Sequence, residues 1–349
     1  MEYDVLVVGA GPAGCRTAEL IGRQGYSVLV IEEHAEVGKP VQCAGLVSWR
    51  LLEQLPDLPK DMIINIVKKA NFFSPSERIT LKSKKPVYVI DRAGLDKYLC
   101  GKAKEVANVK LSTTFEGYEA KDGCVVAHTT KGDFEAKLLV GADGVNSTVA
   151  RQAKLKRPDN ALAGLQTTVD GSFDPEAVEL WFGSSVSPGF FAWVIPESSR
   201  RARIGLATRS RTSNYFENFL KKRVGKVKKA DVAGTMNFGL MQTTTERVLL
   251  VGDAACQIKP FSCGGIVYGL IGARYCANAC VEALKQNRFD AEFLKDAYDK
   301  RWKAQLEGPI RRGLLYRRIS QASDGTLDFL FKSGKRFAFL LEFMDMDFL

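Results

Sequence analysis

The sequence lacks any run of about 18 uncharged apolar residues, and this absence excludes a membrane-spanning helix. It also shows no export signal, because a strand-like segment begins almost at the N-terminus. With 349 residues, 46% hydrophobic and 26% charged, the chain has the composition of a globular protein with two domains or one elaborate one. We therefore expect a cytoplasmic protein, and peripheral contact with the inner face of the membrane is left open.

The eight cysteines occur in no C-x-x-C spacing. In a chain without an export signal, this pattern favours reduced thiols. It offers no cysteine cluster suited to an iron–sulfur centre. We therefore expect no metal. A second G-x-G-x-x-G segment is also missing. A nicotinamide cofactor would therefore have to bind transiently.

Acidic residues are almost absent between residues 200 and 230, where Glu217 is the one acid among eleven basic residues. Much of the overall net charge of +10 is concentrated there. A solvated basic face is one explanation, and an anionic membrane surface, a phosphate-bearing substrate or an acidic protein donor are the functional ones. No nucleic-acid partner is expected, because no recognition motif accompanies the charge.

The features that are present are organised around the first 33 residues. The apolar, β-branched segment 3–8 predicts a buried strand, and it runs into Gly9-Ala10-Gly11-Pro12-Ala13-Gly14, a G-x-G-x-x-G turn. A helical pattern continues to about Gln24, Gly25 ends it, and segment 27–32 predicts a second buried strand. Strand, glycine turn, helix and strand in this order predict a dinucleotide site.

Each residue of this fingerprint has a physical role. Gly9 makes the tight turn, Gly11 lets the backbone approach a pyrophosphate, and Gly14 lets helix and strand pack closely. Glu32 ends the second strand, where its carboxylate can accept hydrogen bonds from ribose hydroxyls. An acid at this position favours FAD or NAD over NADP.

The loop after the second strand contains Cys43. Its thiol could give a proton beside a flavin or tune the ring, whereas an isolated cysteine is usually a small buried apolar group. Further along, Arg92 and Asp96 form an Arg-x-x-x-Asp pattern at the start of a helix expected to reach about Val106.

Two more glycine turns follow predicted buried strands. The strand over 134–140 ends in Gly141-Ala142-Asp143-Gly144, and the strand after Arg247 ends in Gly252-Asp253. Asp253 can bind a ribityl hydroxyl.

A small-residue helix is expected from Ile266 to about Leu284, and Gly264 and Gly265 precede it. Their backbone can stabilise negative charge that develops on a reduced flavin. Small residues also suit close helix packing, and the two explanations are compatible.

Residues 160–240 lack the alternation of strands and helices that a parallel sheet requires. They predict antiparallel strands over 162–169, 177–182, 190–195 and 202–207. Phe191 and Trp193 could line an apolar pocket or belong to the core.

The chain after Phe289 predicts helices and a phenylalanine-rich tail. The tail is either an amphipathic, membrane-facing piece or a helix that covers the substrate domain. Its phenylalanines are Phe329, Phe331, Phe337, Phe339, Phe343 and Phe348.

Together these motifs resemble the FAD-dependent group that contains para-hydroxybenzoate hydroxylase and, within it, the archaeal geranylgeranyl reductases. The broad likeness covers most of residues 1–290 and rests on the fingerprint, Arg92 with Asp96, the Asp143-Gly144 turn and Gly252-Asp253. The narrower likeness rests on the segments 40–45, 191–196 and 252–266.

This sequence also departs from the reductase pattern. Phe191, Ile195 and Glu197 stand where the reductases often have tyrosine, phenylalanine and lysine, and the usual glycine-rich turn carries Cys256 and Cys263. The segment Phe191 to Pro196 is also similar to a motif of flavin halogenases.

The resemblance implies an α/β fold with a Rossmann-type FAD-binding domain, an inserted antiparallel-sheet substrate domain and a helical C-terminal region. We expect the FAD-binding domain at 1–55, 86–155 and 245–288, the substrate domain at 56–85 and 156–244, and the helical region at 289–349. The residues expected at FAD are Gly9, Gly11, Ala13, Gly14, Glu32, Glu33, Cys43, Ala44, Arg92, Asp143, Gly252, Asp253, Gly264, Gly265 and Ile266. Those expected at the substrate are Phe191, Trp193 and Pro260, with Cys43 as the catalytic candidate.

The activity implied by the resemblance is the reduction of isolated double bonds in geranylgeranyl chains by hydride transfer from reduced FAD. The substrate would be a prenylated lipid, such as an archaeal membrane lipid precursor, or a prenyl diphosphate, and the electron donor NADPH or ferredoxin. The alternatives are an FAD-dependent monooxygenase or halogenase, a flavoprotein that carries electrons to quinone, and a lipid-binding protein that retains FAD.

Overall fold

The structure is a computed structural model that describes residues 3–41 and 43–335. Its strands, in chain order, are β1 (Tyr3–Val8), β2 (Val28–Ile31), β3 (Leu46–Ser48), β4 (Ile63–Phe73), β5 (Arg78–Ile90), β6 (Asn108–Lys110), β7 (Phe115–Lys121), β8 (Cys124–Thr129), β9 (Gly132–Gly141), β10 (Leu162–Asp170), β11 (Ala177–Trp181), β12 (Ala192–Pro196), β13 (Arg201–Thr208), β14 (Val232–Met236), β15 (Thr244–Thr245) and β16 (Val248–Leu250). Its helices are α1 (Pro12–Gly22), α2 (Arg50–Gln54), α3 (Arg92–Lys104), α4 (Thr148–Gln152), α5 (Thr212–Val224), α6 (Ile266–Gln286), α7 (Ala291–Leu294), α8 (Lys300–Ser320) and α9 (Asp324–Gly334). A π-helical turn, Lys295–Asp299, joins α7 to α8, and 3₁₀ turns occur at Lys60–Met62 and Gly252–Ala255.

The N-terminal strand β1 lies at the centre of the first sheet, whose main strand order is β15-β16-β9-β1-β2-β6. It pairs in parallel with β2 and β9, and β16 pairs in parallel with β9. Val5 and Val7 pack into the core formed with α1, α3 and α6, while Leu6 and Val8 pack into the core on the opposite face. A strand buried on both faces has no polar side, which explains its continuous apolar sequence. The predicted Rossmann-type arrangement is confirmed.

The second sheet has the order β14-β10-β13-β12-β11-β4-β5-β3. The pairs among β10 to β14 are antiparallel, as predicted, but β11 pairs in parallel with β4. Much of the first sheet lies between these two strands in the chain, so no hairpin turn fixes their relative direction. The segments 46–48 and 86–90 also pair in this sheet, although they were expected in the FAD-binding domain.

The helix α5 was not predicted. It covers one face of the second sheet through Phe216, Phe219 and Leu220, which are buried at i, i+3 and i+4. Its last turn carries three of the eleven basic residues, and the basic run on both sides of it obscured the helical pattern in the sequence.

The C-terminal region is helical over the described part, from α7 to α9. Phe337, Phe339, Phe343 and Phe348 lie outside the described residues. Within the described ranges, no helix has both the length and the apolarity that crossing a membrane requires.

Candidate active site

The turn between β1 and α1 has the geometry that the fingerprint predicts. Gly9 has φ +101°, and a Cβ there would lie 2.5 Å from the carbonyl oxygen of Ala142, the residue that follows β9. A Cβ at Gly14 would overlap the Gly9 carbonyl oxygen, so Gly14 serves packing of α1 on the turn. At Gly11, by contrast, a Cβ would meet no atom within 4 Å. The fold therefore requires glycine at positions 9 and 14, whereas Gly11 leaves open space beside the turn.

The carboxylate of Glu32 holds this turn against the end of β2. Its Oε2 accepts a hydrogen bond from the Ala10 backbone N–H at 2.8 Å, and its Oε1 accepts one from the His34 backbone N–H at 3.0 Å. The His34 ring Nδ1 also lies 2.6 Å from Oε1. Glu32 thus lines the cavity with an orientation that is fixed from both sides, whereas neighbouring Glu33 is exposed.

Arg92, at the start of α3, brings together groups from three segments. Asp91 accepts a hydrogen bond from Gly94 N–H at 3.0 Å and caps the helix, and Arg92 forms an ion pair with Asp96. The Cys43 thiol and the Asp253 carboxylate both lie within electrostatic reach of the Arg92 guanidinium. Burial raises the pKa of both Asp96 and Asp253, and the charge of Arg92 opposes that effect in each.

The Asp143-Gly144 turn uses its carboxylate internally. Asp143 accepts hydrogen bonds from the Ser147 hydroxyl at 2.6 Å and from Val149 N–H at 3.0 Å, and Ser147 caps α4. Burial raises the pKa of Asp143, and these hydrogen bonds counteract part of the rise. Asp143 therefore shapes the cavity wall chiefly by holding its own turn.

The turn after β16 is held by a buried network that the sequence did not reveal. Gly252 N–H donates to Gln257 Oε1 at 2.8 Å, and Gln257 Nε2 donates to the Tyr298 hydroxyl oxygen at 2.9 Å. The Tyr298 hydroxyl in turn donates to the Leu250 carbonyl at 2.6 Å. This network fixes the backbone from which Asp253 projects into the cavity.

The helix α6 begins at the same place without a side-chain cap. A Cβ at Gly265 would lie 2.6 Å from Asp253 Oδ1, and a Cβ at Gly264 would lie 2.8 Å from Lys259 Cε. Glycines here leave room for the Asp253 carboxylate and the Lys259 side chain. The first backbone N–H groups of α6 have no intrahelical acceptor, and the positive end of the helix is directed at the cavity.

The second sheet contributes an apolar, aromatic chamber. Phe191 stacks on Phe190 with 4.1 Å between ring centroids, and Trp193 Nε1 donates to Gln166 Oε1 at 2.9 Å. A Cβ at Gly205 would lie 2.5 Å from the Trp193 indole, so this glycine allows the ring to lie flat across β13. Phe191 and Trp193 thus pack in the core and also line a pocket, so the two roles that the sequence left open are compatible.

One cavity of about 630 Å³ joins all these groups. It runs from the glycine turns of the first sheet to the aromatic side chains of the second. The predicted site residues that line it are Gly9, Gly11, Ala13, Glu32, Glu33, Cys43, Ala44, Arg92, Asp143, Gly252, Asp253, Gly264, Gly265, Ile266, Phe191 and Trp193.

Two predicted residues lie outside this lining. Gly14 is buried beneath the first turn, in the packing role given above. Pro260 is buried against α8, where a Cβ at Gly313 would approach its ring within 2.8 Å. The expected substrate contact of Pro260 is therefore not supported, because the proline packs on a helix behind the cavity wall.

Arg203 is a site residue that sequence reasoning missed, because it was counted with the basic run. It is buried on β13, and its guanidinium donates to the Ala44 carbonyl at 2.7 Å and to the Ile90 carbonyl at 3.2 Å. Its Nε donates to Glu197 at 2.7 Å. Arg203 therefore fastens the Cys43 loop to the second sheet, and it does not contribute to a solvated basic face.

The residues present fit a dinucleotide cofactor. Gly11 and Gly144 line the cavity, and a Cβ at either would meet no atom within 4 Å, so their backbone faces a cradle that a side chain would fill. Arg92 Nε is buried and has no hydrogen-bond partner among residues 3–41 and 43–335. Two helix N-termini, those of α1 and α6, open on the same cavity and lack side-chain caps, which suits an anionic group.

Comparisons with known proteins agree with this geometry. The FAD binding domain family matches residues 2–304. Digeranylgeranylglycerophospholipid reductase 2 of Methanothermobacter thermautotrophicus is 33% identical, over 95% of this chain and 92% of its own. A geranylgeranyl bacteriochlorophyll reductase-like protein of Thermoplasma acidophilum superposes with a TM-score of 0.88 at 28% identity, covering 95% of this chain and 91% of its own. The p-nitrophenol 4-monooxygenase of Pseudomonas putida has a TM-score of 0.77 at 17% identity, covering 98% of this chain and 96% of its own, and this likeness shows the fold alone.

Proposed function

The chain belongs to the FAD-binding-domain family and, within it, to the digeranylgeranylglycerophospholipid reductases, and on this premise we propose that it reduces isolated double bonds in the geranylgeranyl chains of a glycerophospholipid. It is an FAD-dependent oxidoreductase. The p-nitrophenol 4-monooxygenase, which represents the oxygen-dependent alternatives, is similar in fold but more distant in sequence.

The observation that carries the proposal is the continuity of the cavity. Its cofactor half is polar and lined by glycine turns, and its other half is lined by rings and aliphatic side chains, which suits a prenyl chain. An isolated alkene has no carbonyl that the protein could polarise. The protein must therefore align the double bond, exclude water and supply a proton.

Bound FAD supplies the hydride for one alkene carbon. The backbone N–H groups at the start of α6 favour the negative charge of the reduced cofactor. Phe191 and Trp193 exclude water from the chain and limit its positions in the chamber.

We propose Cys43 as the group that gives the proton to the second alkene carbon. Its thiol lines the cavity, Gly45 N–H donates to its sulfur at 3.4 Å, and the Arg92 guanidinium lies beside it. The Gly45 N–H fixes the position of the sulfur at the cavity wall. Arg203 holds the neighbouring Ala44 carbonyl and so fixes the position of this loop.

NADPH or ferredoxin is the proposed electron donor, and the basic residues at the end of α5 and just after it support an acidic protein. Lys221 and Lys226 are exposed, whereas Arg223 is held by Glu179 at 2.6 Å. An acidic protein donor and a phosphate-bearing molecule would both be attracted to these basic residues.

The reaction can be tested without oxygen. The protein is reduced with dithionite, a digeranylgeranyl glycerophospholipid is added, and flavin absorbance and lipid mass are followed. Return of the oxidised spectrum with gains of two hydrogens would support the proposal. A flavin that stays reduced until air is admitted would contradict it, and substrate-coupled turnover on admission of air would favour a monooxygenase.

The role of Cys43 is tested by Cys43→Ser in the same assay. We expect a rate lower by about a hundredfold, the usual contribution of a general acid, with unchanged FAD content. Cys263→Ser is the matched control, since this thiol also lines the cavity but lies at the α6 end. Equal rates for Cys43→Ser and the parent protein would remove the thiol from the mechanism.

A further inference from the structure

The last two described helices, α8 and α9, carry most of the exposed large apolar side chains. Seven such residues occur in the described ranges, and four of them lie on these helices. Leu315 is 56% exposed and Phe329 is 68% exposed. Ile319 and Leu330 complete the set, which we call the α8–α9 face.

The apolar side chains of α8 lie among exposed cations. Leu315 is four residues after Arg311 and three before Arg318, so the three side chains form one stripe on the helix. Ile319 extends the same stripe by one turn. The buried side of α8 is opposite, where Ile310 and Gly313 pack inward.

The outward charge of the face is positive. From residue 311 to residue 335 the chain has six basic and two acidic residues, and five of the six basic residues are exposed, Arg317 being buried. Of the exposed five, Arg311 pairs with Glu307 and Lys335 pairs with Glu77. Both acids are engaged by serines of the neighbouring segments, since Asp324 accepts from the Ser184 hydroxyl at 2.7 Å and Asp328 accepts from the Ser74 hydroxyl at 2.5 Å.

Two of the cations are not used by the protein itself. Arg318 and Lys332 are exposed and have no hydrogen-bond or ion-pair partner in the part of the chain that the structure describes. They flank the apolar side chains of α8 and α9, respectively.

The inner side of α9 connects the face to the cavity. Phe331 contacts Phe182 with ring centroids 6.0 Å apart, and Phe182 contacts Phe191 at 5.4 Å. Phe191 lines the cavity. The helix that presents Phe329 to solvent is thus linked to the substrate chamber through two successive ring contacts.

We propose that the α8–α9 face docks on an anionic lipid bilayer and places the aromatic end of the cavity next to the membrane. Apolar side chains enter the region between headgroups and acyl chains, and the flanking Arg318 and Lys332 bind lipid phosphates. The inference deepens the proposed function, because a lipid with geranylgeranyl chains stays in the membrane and has to enter the protein from there.

The test measures binding of the FAD-loaded full chain to vesicles of phosphatidylglycerol and of phosphatidylcholine by flotation. We expect binding to the anionic vesicles that weakens with added salt. Leu315→Ser combined with Phe329→Ser should weaken it by roughly tenfold or more for each side chain removed. Arg318→Gln and Lys332→Gln should each weaken it about fivefold.

Matched controls exist elsewhere in the chain. Ile64 and Ile66 on β4 are 42% and 45% exposed, so Ile64→Ser with Ile66→Ser removes a similar apolar surface away from the face. Lys226→Gln removes a cation from the basic run after α5. Binding that survives both controls and fails in the α8–α9 variants supports the proposal. The proposal is overturned if the parent protein does not bind anionic vesicles. It is also overturned if Lys226→Gln weakens binding more than the α8–α9 variants do.

Amide hydrogen exchange of the parent protein gives an independent readout that needs no variant to fold. Vesicles should protect the backbone of 311–335, and protection confined to other segments would overturn the proposal. Neither measurement needs turnover, so the docking proposal and the proposed reaction can fail separately.

Discussion

Three glycine-to-alanine changes separate the glycines that the fold requires from the one that the cofactor requires. Gly11 is the N-cap of α1, with φ −70° and ψ 178°, a conformation that alanine adopts without strain. Its Cβ would project into the cavity without touching the protein. Gly11→Ala should therefore change the free energy of unfolding of the FAD-free protein by no more than about 1 kcal/mol.

The same change should weaken FAD binding. The methyl group occupies the space through which the helix N-terminus approaches the pyrophosphate. Loss of one hydrogen bond to a charged group costs about 1.5–3 kcal/mol, which raises the dissociation constant roughly tenfold to a hundredfold.

Gly14→Ala should show the opposite pattern. Its Cβ would overlap the Gly9 carbonyl oxygen, which is backbone and cannot turn aside. Overpacking of this kind costs about 1–3 kcal/mol, and it appears in the FAD-free protein.

Gly101→Ala is the control. This residue lies in α3, is exposed, and its Cβ would meet no atom within 4 Å. We expect a gain of about 0.5–1 kcal/mol in stability and unchanged FAD affinity. Denaturant unfolding of the FAD-free variants and fluorescence titration with FAD measure the two quantities. If Gly11→Ala bound FAD within twofold of the parent protein, the assignment of the first turn as the pyrophosphate site would be wrong.

Two further predictions concern the cavity wall. Trp193→Phe removes the hydrogen bond to Gln166 and reduces the aromatic area that lines the chamber. We therefore expect KM for the prenyl lipid to rise and the affinity for FAD to stay constant. Steady-state kinetics and FAD titration measure the two quantities. Burial raises the pKa of Cys263 to about 12, against the opposing effect of Arg317, because the thiolate is costly to bury. This thiol therefore stays protonated between about pH 6 and pH 10. Cys263→Ala should leave the shape of the pH–rate profile unchanged there, and a displaced limb would contradict the assignment.

The cofactor half could be predicted because its signals are local. The sequence places Gly9, Gly11 and Gly14 within six residues, and each later turn follows directly on a buried strand. Parallel strands bring their carboxyl ends to one edge of a sheet, so the turns at Asp143 and Asp253 had to meet the fingerprint. The structure places all of them on one cavity.

The errors concern contacts between distant segments. Pro260 comes shortly after the predicted strand that ends in Gly252-Asp253. Whether it faces the cavity or α8 depends on a helix about fifty residues later in the chain, and Pro260 packs against Gly313 of that helix. Arg203 looks like part of a charge run, and only the pairing of β12 and β13 places its guanidinium on Ala44 and Ile90. The parallel pairing of β11 with β4 likewise has no local signal.

The Cys43 loop shows how the two halves of the protein cooperate in one reaction. Arg92 from the cofactor domain lies beside its thiol, and Arg203 from the second sheet holds the next carbonyl in the chain. The position of the proposed proton donor therefore depends on the docking of one sheet on the other. A related fold that keeps the glycine turns but changes the second sheet would move this loop and alter the chamber. A shared fold therefore need not mean a shared reaction, because the second sheet that lines the chamber can change while the glycine turns stay the same.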